Sequence, residues 1–346
     1  MDVAYFQRRP VAANFSIERV FADVRAGLPS HVRTRVHVCP YVRGVVRRAV
    51  NILCAAWHQA DVNHITGDVH YLAFGLRKDR TVLTIHDCVA LNEPRWFRRT
   101  VRKYLWYVFP ANRVAAITAV SDTTKGELIE KLGMRPDAIA VIPNPISPAF
   151  RPSPKAFPTW FRILHVGTRP NKNLARLVEA VRGLSCELRI VGALTDEQRR
   201  QIEAAGVRYS TAADLTDQQV VDEYRECDLV AFVSTYEGFG MPILEAQATG
   251  RPVVTSNLMS MPAVAGGAAC LVDPFDAGAI RAGIERVASD AAYRERLIAD
   301  GFANVKRYSR EAIAAHYARL YERVLEAARH TPAGARRVAG IDHVIG

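Results

Sequence analysis

The segment from Asp228 to Gly250 constrains the fold most. It begins with Asp228 and a continuous apolar run at 229–233, the pattern of a strand buried on both faces. A loop with Gly238 and Gly240 follows, and then a short helix, in which Pro242 suits the first position and Gly250 suits the left-handed residue past the end. A buried strand, a glycine loop and a helix in succession predict an α/β domain with a parallel sheet.

The loop in this segment has the chemistry of an anion and sugar site. Gly238 and Gly240 lack a Cβ, so a ligand could lie directly against the backbone, and the amides of the following helix start favour a diphosphate. Glu237 in the loop and Glu245 in the predicted first turn of the helix could accept hydrogen bonds from hexose and ribose hydroxyls. Taken alone, the two acids equally fit a helix start that carries negative charge to complement its dipole.

The spacing Glu237-x7-Glu245, with Gly-Phe-Gly inside it, resembles the donor-site motif of family 4 glycosyltransferases. The resemblance continues through 252–257 to 271–274 and covers most of the second half of the chain. It implies the GT-B fold, in which two Rossmann-like α/β domains face a cleft and the last helix returns to the N-terminal domain. It also implies a retaining, metal-independent hexosyltransferase that uses a nucleotide diphosphate sugar and needs no cofactor.

The length of 346 residues suits two domains, and the proline-rich stretch 143–158 suits the linker between them. We therefore expect an N-terminal, acceptor-side domain over 1–148, completed by a returning helix over 308–330. A C-terminal domain that binds the nucleotide sugar is expected over 149–307. Residues 331–346 are predicted to be a loose tail.

The second domain begins with a strand that ends at Gly167, followed by a loop with two cations and a helix, which is the geometry of a phosphate site. By resemblance, Lys172 is the phosphate-binding lysine and Arg169 the arginine that accompanies it, although both could be solvated loop cations. The predicted donor-binding residues are thus Gly167, Arg169, Lys172, Gly238, Phe239, Gly240 and Glu245.

The first domain has a strand at 81–85 that delivers His86 and Asp87 to the carboxyl end of the sheet, where ligands bind in open α/β folds. His86 could also simply cap the loop. The resemblance places a histidine of this kind against the donor sugar or the acceptor, so the predicted catalytic residues are His86, Glu237 and Lys172. Asp68, Asp87 and Asn144 are predicted on the acceptor side.

The chain departs from the family pattern at two positions near the predicted site, and it has no metal-binding motif. Residues 8–16 replace the usual Gly-Gly loop, and Ala263 stands where relatives often carry Glu. The histidines at 64–70 lack a Glu-x-x-His or cysteine pair beside them, so no metal site is predicted.

Charge divides unevenly between the halves. Residues 1–150 carry 21 Lys and Arg against 12 Asp and Glu, a net +9 of the total +11. Within them, residues 94–109 predict a basic amphipathic helix with one apolar face, made of Phe97, Val101, Tyr104, Leu105 and Val108. The helix either packs this face on the core or attaches to an anionic membrane surface. The six cysteines share no metal spacing and lie among apolar runs, as in a reduced cytosolic protein. The chain is therefore expected to be cytoplasmic, or peripheral on the inner face of the cytoplasmic membrane, and no nucleic-acid partner is expected.

The function that the resemblance implies is transfer of a hexose to a glycan or lipid-linked acceptor in bacterial polysaccharide or envelope glycan synthesis. The sequence does not determine which hexose is transferred, and mannose is a first guess. Two alternatives stay open from the sequence. One is a nucleotide-sugar epimerase or phosphorylase on the same fold. The other is a basic membrane- or nucleic-acid-binding module with a degenerate sugar site. A glycosidase is disfavoured because no hydrolase-like pair of carboxylates is evident.

Overall fold

The structure is a computed structural model that describes residues 1–9, 16–42 and 44–330. The chain divides into two compact units, Met1–Pro145 together with the segment from Arg310, and Ile146–Ser309. The predicted tail at 331–346 and most of the departure at 8–16 lie outside the described residues.

Within the described residues, unit 1 holds a parallel sheet of six strands in the order β2-β1-β3-β4-β5-β6. In chain order its elements are β1 (Asp2–Gln7), α1 (Ser16–Gly27), β2 (Arg33–Val38), α2 (Val45–Trp57), β3 (Val62–Ile65), β4 (Thr81–Ile85), α3 (Trp96–Arg102), α4 (Phe109–Ala111), β5 (Ala116–Ala119), α5 (Asp122–Leu132) and β6 (Ile139–Val141). The strand order reverses between β1 and β3, which is where ligands bind in sheets of this kind.

The last helix, α13 (Arg310–His330), completes unit 1, as predicted for the returning helix. Its apolar face joins a core cluster with β1 and α1. The buried members of α13 in this cluster are Ile313, Tyr317, Leu320, Tyr321 and Val324. Burial of these side chains holds the helix on the sheet.

A buried polar network also ties α13 to the sheet. His64 Nδ1 lies 2.7 Å from the Tyr321 hydroxyl, and His64 Nε2 lies 2.7 Å from Thr84 Oγ1. Tyr321 in turn shares a 2.8 Å hydrogen bond with the Tyr5 hydroxyl. Burial, and to a smaller extent nearby His86, lower the pKa of His64 to about 3, so this imidazole is neutral in the folded state near pH 7.

In the described part of unit 2, a second parallel sheet has six strands in the order β12-β11-β10-β7-β8-β9. Its elements are β7 (Phe161–Val166), α6 (Leu174–Val181), β8 (Cys186–Val191), α7 (Asp196–Ala204), β9 (Tyr209–Ala212), α8 (Asp217–Glu226), β10 (Leu229–Phe232), α9 (Met241–Thr249), β11 (Val253–Ser256), α10 (Met261–Ala265), β12 (Cys270–Val272), α11 (Ala277–Ser289) and α12 (Ala291–Val305). The order reverses between β7 and β10, so the loops after these two strands lie at the switch point.

The predicted helix over 94–109 differs from expectation in the face that it buries. It begins at Trp96, and residues 103–108 form a π-helical stretch that shifts the register of the side chains. Of the apolar face that could have packed on the core, Phe97, Val101, Tyr104 and Leu105 are exposed and Val108 is half-buried. Tyr107 is buried instead, so the core-packed interpretation of that face is wrong.

Candidate active site

The loops after β7 and β10 bring the two residues predicted for donor chemistry together. Lys172 Nζ lies 2.6 Å from Glu237 Oε1, although the residues are far apart in sequence. Both side chains keep access to solvent, with exposed fractions of 19% and 16%. A cation and a carboxylate therefore meet at the switch point of the unit 2 sheet, each within reach of a ligand.

The β7 loop is built to accommodate Lys172. Gly167 has φ +94°, and a Cβ at this position would lie 3.0 Å from Cγ and Cε of the Lys172 side chain. Glycine is needed here both for its backbone angle and for this close approach. The Lys172 ammonium also lies 4.8 Å from the centroid of the Phe232 ring, at the end of β10.

Two residues that the sequence did not identify as part of the site, Asn171 and Ser260, form hydrogen bonds to the backbone of the Glu237 loop. The backbone carbonyl of Asn171 accepts a hydrogen bond from the Thr235 amide at 2.8 Å, and the side-chain amide of Asn171 donates to the Tyr236 carbonyl at 2.9 Å. Buried Ser260 donates to the Phe239 carbonyl at 2.6 Å. Neither has a motif of its own, although Asn171 directly precedes Lys172.

Helix α9 begins one residue before the predicted position of Pro242, with Gly240 as its cap at φ +119°, and ends at Gly250 in the left-handed conformation. Because the helix starts at Met241, Glu245 lies in the second turn, and its predicted position in the first turn is wrong. Tyr224 from α8 donates a 2.6 Å hydrogen bond to Glu245 Oε2. The Glu245 carboxylate is thus buried and held in orientation by the Tyr224 hydroxyl. The alternative that Glu245 only complements the helix dipole is disfavoured, because the interaction of a charge with the dipole falls off within the first turn.

The remaining predicted donor residues occupy varied positions. Arg169 is exposed at the start of the loop, and its carbonyl accepts a 2.8 Å hydrogen bond from the Lys172 amide. The Phe239 ring is buried against Tyr308, at 5.9 Å between centroids, so only its backbone remains for a ligand. Gly238 is half-buried, and Ala263 is exposed on α10.

In unit 1, His86 follows β4 directly, at the carboxyl edge of the sheet. Its Nε2 lies 2.9 Å from the Thr66 carbonyl, and since a carbonyl only accepts, Nε2 carries the proton. Burial lowers the pKa of His86, and the hydrogen bond to Thr66 opposes this less strongly. The neutral tautomer leaves Nδ1 as a hydrogen-bond acceptor.

The predicted acceptor-side carboxylates surround His86 at this edge. Asp87 Oδ1 accepts a 2.9 Å hydrogen bond from the Val89 amide, and burial raises the pKa of Asp87. Asp68 pairs with Arg8 at 3.0 Å, and Arg8 also pairs with Glu18 at 2.8 Å. Arg8, in the segment that replaces the Gly-Gly loop, is thus paired with two carboxylates.

Asn144 is buried beyond the end of β6, two strands from β4 in the sheet.

Across the described chain, we find no group of three His, Cys, Asp or Glu side chains that could bind a metal ion. None of the described helices combines the length and the apolar character of a membrane-spanning helix. The roles given to individual site residues remain predictions.

Comparison with known proteins places the chain in a family. Residues 9–150 match the family model described as Glycosyltransferase Family 4, and residues 161–290 match the one described as Glycosyl transferases group 1. The O-antigen chain mannosyltransferase B of Escherichia coli is 30% identical over 261 residues, which are 68% of this chain and 68% of that protein. The chain belongs to glycosyltransferase family 4. It is a glycosyltransferase, and the epimerase, phosphorylase and binding-module alternatives are not favoured.

Two further similarities concern this family 4 glycosyltransferase. The serotype-specific mannosyltransferase WbdA of Escherichia coli is 27% identical over 287 residues, which are 74% of this chain but only 35% of that protein. The solved structure of Anabaena HepE in complex with UDP and glucose superposes with a TM-score of 0.76 at 18% identity, over 92% of this chain and 99% of that one. The predicted GT-B fold is confirmed.

Proposed function

We propose that the protein transfers mannose from a nucleotide diphosphate sugar, with GDP-mannose as the first candidate, to a glycan or lipid-linked acceptor. The reaction takes place in bacterial polysaccharide or envelope glycan synthesis and retains the anomeric configuration. Mannose is favoured because the most similar relatives described above are named as mannosyltransferases.

The observation that carries the proposal is the pair of Lys172 and Glu237 at the switch point, 2.6 Å apart. A nucleotide diphosphate sugar offers each of them a matching group. The diphosphate accumulates negative charge as the glycosidic bond breaks, and the Lys172 ammonium can stabilise it together with the amides that open α9. The Glu237 carboxylate can accept hydrogen bonds from hexose hydroxyls.

Two further residues have roles in this proposal. Glu245, already oriented by Tyr224, accepts hydrogen bonds from the ribose hydroxyls of the donor. His86 presents a neutral imidazole whose Nδ1 can accept a hydrogen bond from a sugar hydroxyl, since Nε2 is engaged by Thr66. Asp68, Asp87 and Asn144 remain acceptor-side candidates.

The experiment that tests the proposed function is a donor screen. Purified full-length protein is incubated with GDP-mannose, GDP-fucose, UDP-glucose and UDP-N-acetylglucosamine, and the release of nucleoside diphosphate is measured. We expect slow hydrolysis of GDP-mannose above that of the other donors. Faster hydrolysis of a UDP-sugar would overturn the choice of donor, and inertness toward all four, together with no binding by calorimetry, would overturn the proposed function.

Activity is expected to survive removal of divalent metal. The sequence has no Asp-x-Asp motif, and Lys172 with Arg169 can supply the positive charge that a metal supplies in other glycosyltransferases. Donor turnover should therefore change less than about twofold after exhaustive EDTA treatment. If EDTA abolishes turnover and Mn²⁺ or Mg²⁺ restores it, leaving-group stabilisation by side-chain cations alone is wrong.

We also propose that residues 94–109 attach the enzyme to an anionic membrane surface that carries the acceptor. Two observations support this. Trp96 and Phe97 are 71% and 64% exposed, beside arginines that are exposed as well. The segment is also joined to the His86 loop, because the Tyr107 hydroxyl donates to the Asp87 carbonyl at 3.3 Å. Attachment would thus hold the acceptor-side edge of unit 1 near the lipid.

Charge reversal of Arg95, Arg98 and Arg99 tests this attachment. Each surface cation contributes about 1 kcal/mol to binding of an anionic leaflet, so the triple Glu variant should bind vesicles at least tenfold more weakly at low salt. Arg102 is left in place because it already pairs with Glu93 at 3.0 Å. Co-sedimentation with phosphatidylglycerol vesicles measures binding, and unchanged sedimentation of the variant would contradict the proposal.

A further inference from the structure

A second helix of unit 1 turns a large apolar surface outward. In α2, Val46, Val50, Leu53 and Trp57 follow one another at spacings of four, three and four residues, so they form one stripe along the helix. Their exposed fractions are 78%, 37%, 63% and 87%. Single exposed apolar residues are ordinary on a protein surface, but a continuous stripe of this size marks an interaction site.

The opposite face of α2 already serves the core, so the stripe is not a misplaced core face. Asn51 and Ala55 are buried, and Ile52 packs against the core cluster of unit 1. The Asn51 side-chain amide donates to the Tyr41 carbonyl and to the Tyr71 hydroxyl, both at 2.8 Å. These contacts fix the rotation of the helix and keep the stripe outward.

The charge around the stripe identifies what covers it. Neither 45–57 nor 94–109 contains an Asp or Glu, whereas α2 carries Arg47 and Arg48. The Arg48 guanidinium lies 5.1 Å from the centroid of the Trp106 ring, so α2 and the 94–109 segment are neighbours in unit 1. A second copy that met this surface stripe to stripe would bring arginines together without a carboxylate to pair them, whereas an anionic lipid surface is complementary.

We infer that α2 inserts this stripe into the headgroup region of an anionic membrane and supplies the apolar part of the attachment. The inference rests on the proposed function in that a lipid-linked acceptor is the reason for attachment. Trp57, at the end of the stripe, has the amphipathic ring that favours the membrane–water boundary. The two segments differ in their balance of charge and apolar surface. The 94–109 segment carries five Lys and Arg, whose attraction salt screens, beside its exposed aromatic residues, whereas α2 carries two arginines. The stripe of α2 acts through burial of apolar surface, which salt does not weaken.

The test compares two double variants of the full-length protein that replace the same residue types. Leu53→Ser/Trp57→Ser removes the stripe. Leu271→Ser/Trp160→Ser is the matched control, because these side chains are also exposed, at 45% and 42%, but belong to unit 2. Vesicles of phosphatidylcholine with phosphatidylglycerol are sedimented at low salt and at about 0.5 M NaCl, where the Debye length is only about 4 Å.

We expect the wild type and the control to keep part of their vesicle binding at high salt. The stripe variant should lose the share of this salt-resistant binding that α2 supplies, so its binding at high salt should be weaker by roughly tenfold or more, as burial of large apolar side chains predicts. Equal high-salt binding by wild type and stripe variant would overturn the inference, as would an equal loss in the control. The inference would also be overturned if the wild type formed a dimer without lipid and the stripe variant, but not the control, were monomeric, because the stripe would then be a dimer interface.

Donor hydrolysis, measured on the same samples without vesicles, separates this inference from the proposed function. The stripe variant should hydrolyse the donor at the wild-type rate, because the two replaced side chains are exposed and α2 carries none of the proposed site residues. Salt-resistant vesicle binding by a protein inert toward every donor would contradict only the proposed function. Donor hydrolysis by a protein without salt-resistant binding would contradict only the α2 inference.

Discussion

Replacement of Lys172 by alanine should lower donor turnover on the order of 10²- to 10³-fold, the usual effect of losing one preorganised electrostatic group. The Lys172 ammonium is the only side-chain cation that the described structure shows paired with Glu237, and its removal leaves the charge of the departing diphosphate to Arg169 and the α9 amides. The effect should fall on kcat more than on KM, because this charge grows in the transition state.

Lys155→Ala is the matched control for this prediction. Lys155 forms a 2.7 Å ion pair with Asp228, at the amino end of β10 and thus at the opposite edge of the same sheet. Its removal also leaves a carboxylate without this partner, but far from the switch point. Similar losses of turnover in Lys155→Ala and Lys172→Ala would indicate a general effect on stability and would place the donor site elsewhere.

Glu237→Gln should give a comparable loss for a different reason. The amide keeps the size of the side chain and its contact with Asn171, but it accepts hydrogen bonds from sugar hydroxyls more weakly than a carboxylate. The variant should fold like the wild type by circular dichroism. Turnover within about threefold of wild type would remove Glu237 from the proposed hexose contacts.

The parts of this site that the sequence predicts are those with a local cause. Gly240 and Gly250 take positive φ values at the two ends of α9, and glycine is the residue type that tolerates them. Likewise, His86 reaches the sheet edge because a short apolar strand precedes it directly. The contact between Lys172 and Glu237 is not predicted from the sequence, since it depends on which strands become neighbours.

The 94–109 segment and α2 show what an apolar pattern leaves undetermined. The spacing of Phe97, Val101, Tyr104 and Leu105 indicates one face of a helix but does not tell whether that face is buried. The π-helical turn at 103–108 then rotates Tyr107 inward, which no local sequence signal predicts. In α2, the true core face contains Asn51, a polar residue that becomes suitable for burial only through its partners at Tyr41 and Tyr71.

Histidines illustrate the same limit for function. The spacing of His64 and His70 raised a metal site as a possibility that the sequence did not support. In the structure, His64 bonds Tyr321 and Thr84, while His70 Nδ1 lies 2.7 Å from the Trp106 carbonyl. Their role is to satisfy buried polar groups across the core of unit 1, and this has a measurable consequence in acid.

Unit 1 should lose stability steeply as the pH falls below 6.5, with His64 as one identifiable cause. Its pKa is about 3 in the folded state against an ordinary 6.5, mainly through burial. The unfolded chain therefore binds a proton at His64 below about pH 6.5, while the folded chain does not until near pH 3. The stabilisation is complete above pH 6.5 and declines by about 1.4 kcal/mol per pH unit between about pH 6 and pH 4.

The slope of unfolding free energy against pH isolates this titration. A Trp160→Phe background leaves Trp57, Trp96 and Trp106, all in unit 1, as fluorescence probes of its guanidinium unfolding. On this background, His64→Gln should reduce the slope between about pH 6 and pH 4 by about 1.4 kcal/mol per pH unit, whatever it does to stability at pH 7.

Val82→Ala is the control that separates titration from simple destabilisation. Val82 is buried and pairs in register with His64 on the neighbouring strand, so its truncation weakens the same part of the core without removing a proton-binding group. It should lower the unfolding free energy at every pH and leave the slope unchanged. An unchanged slope in His64→Gln, or an equal change in Val82→Ala, would mean that His64 is not the buried neutral imidazole that ties α13 to the sheet.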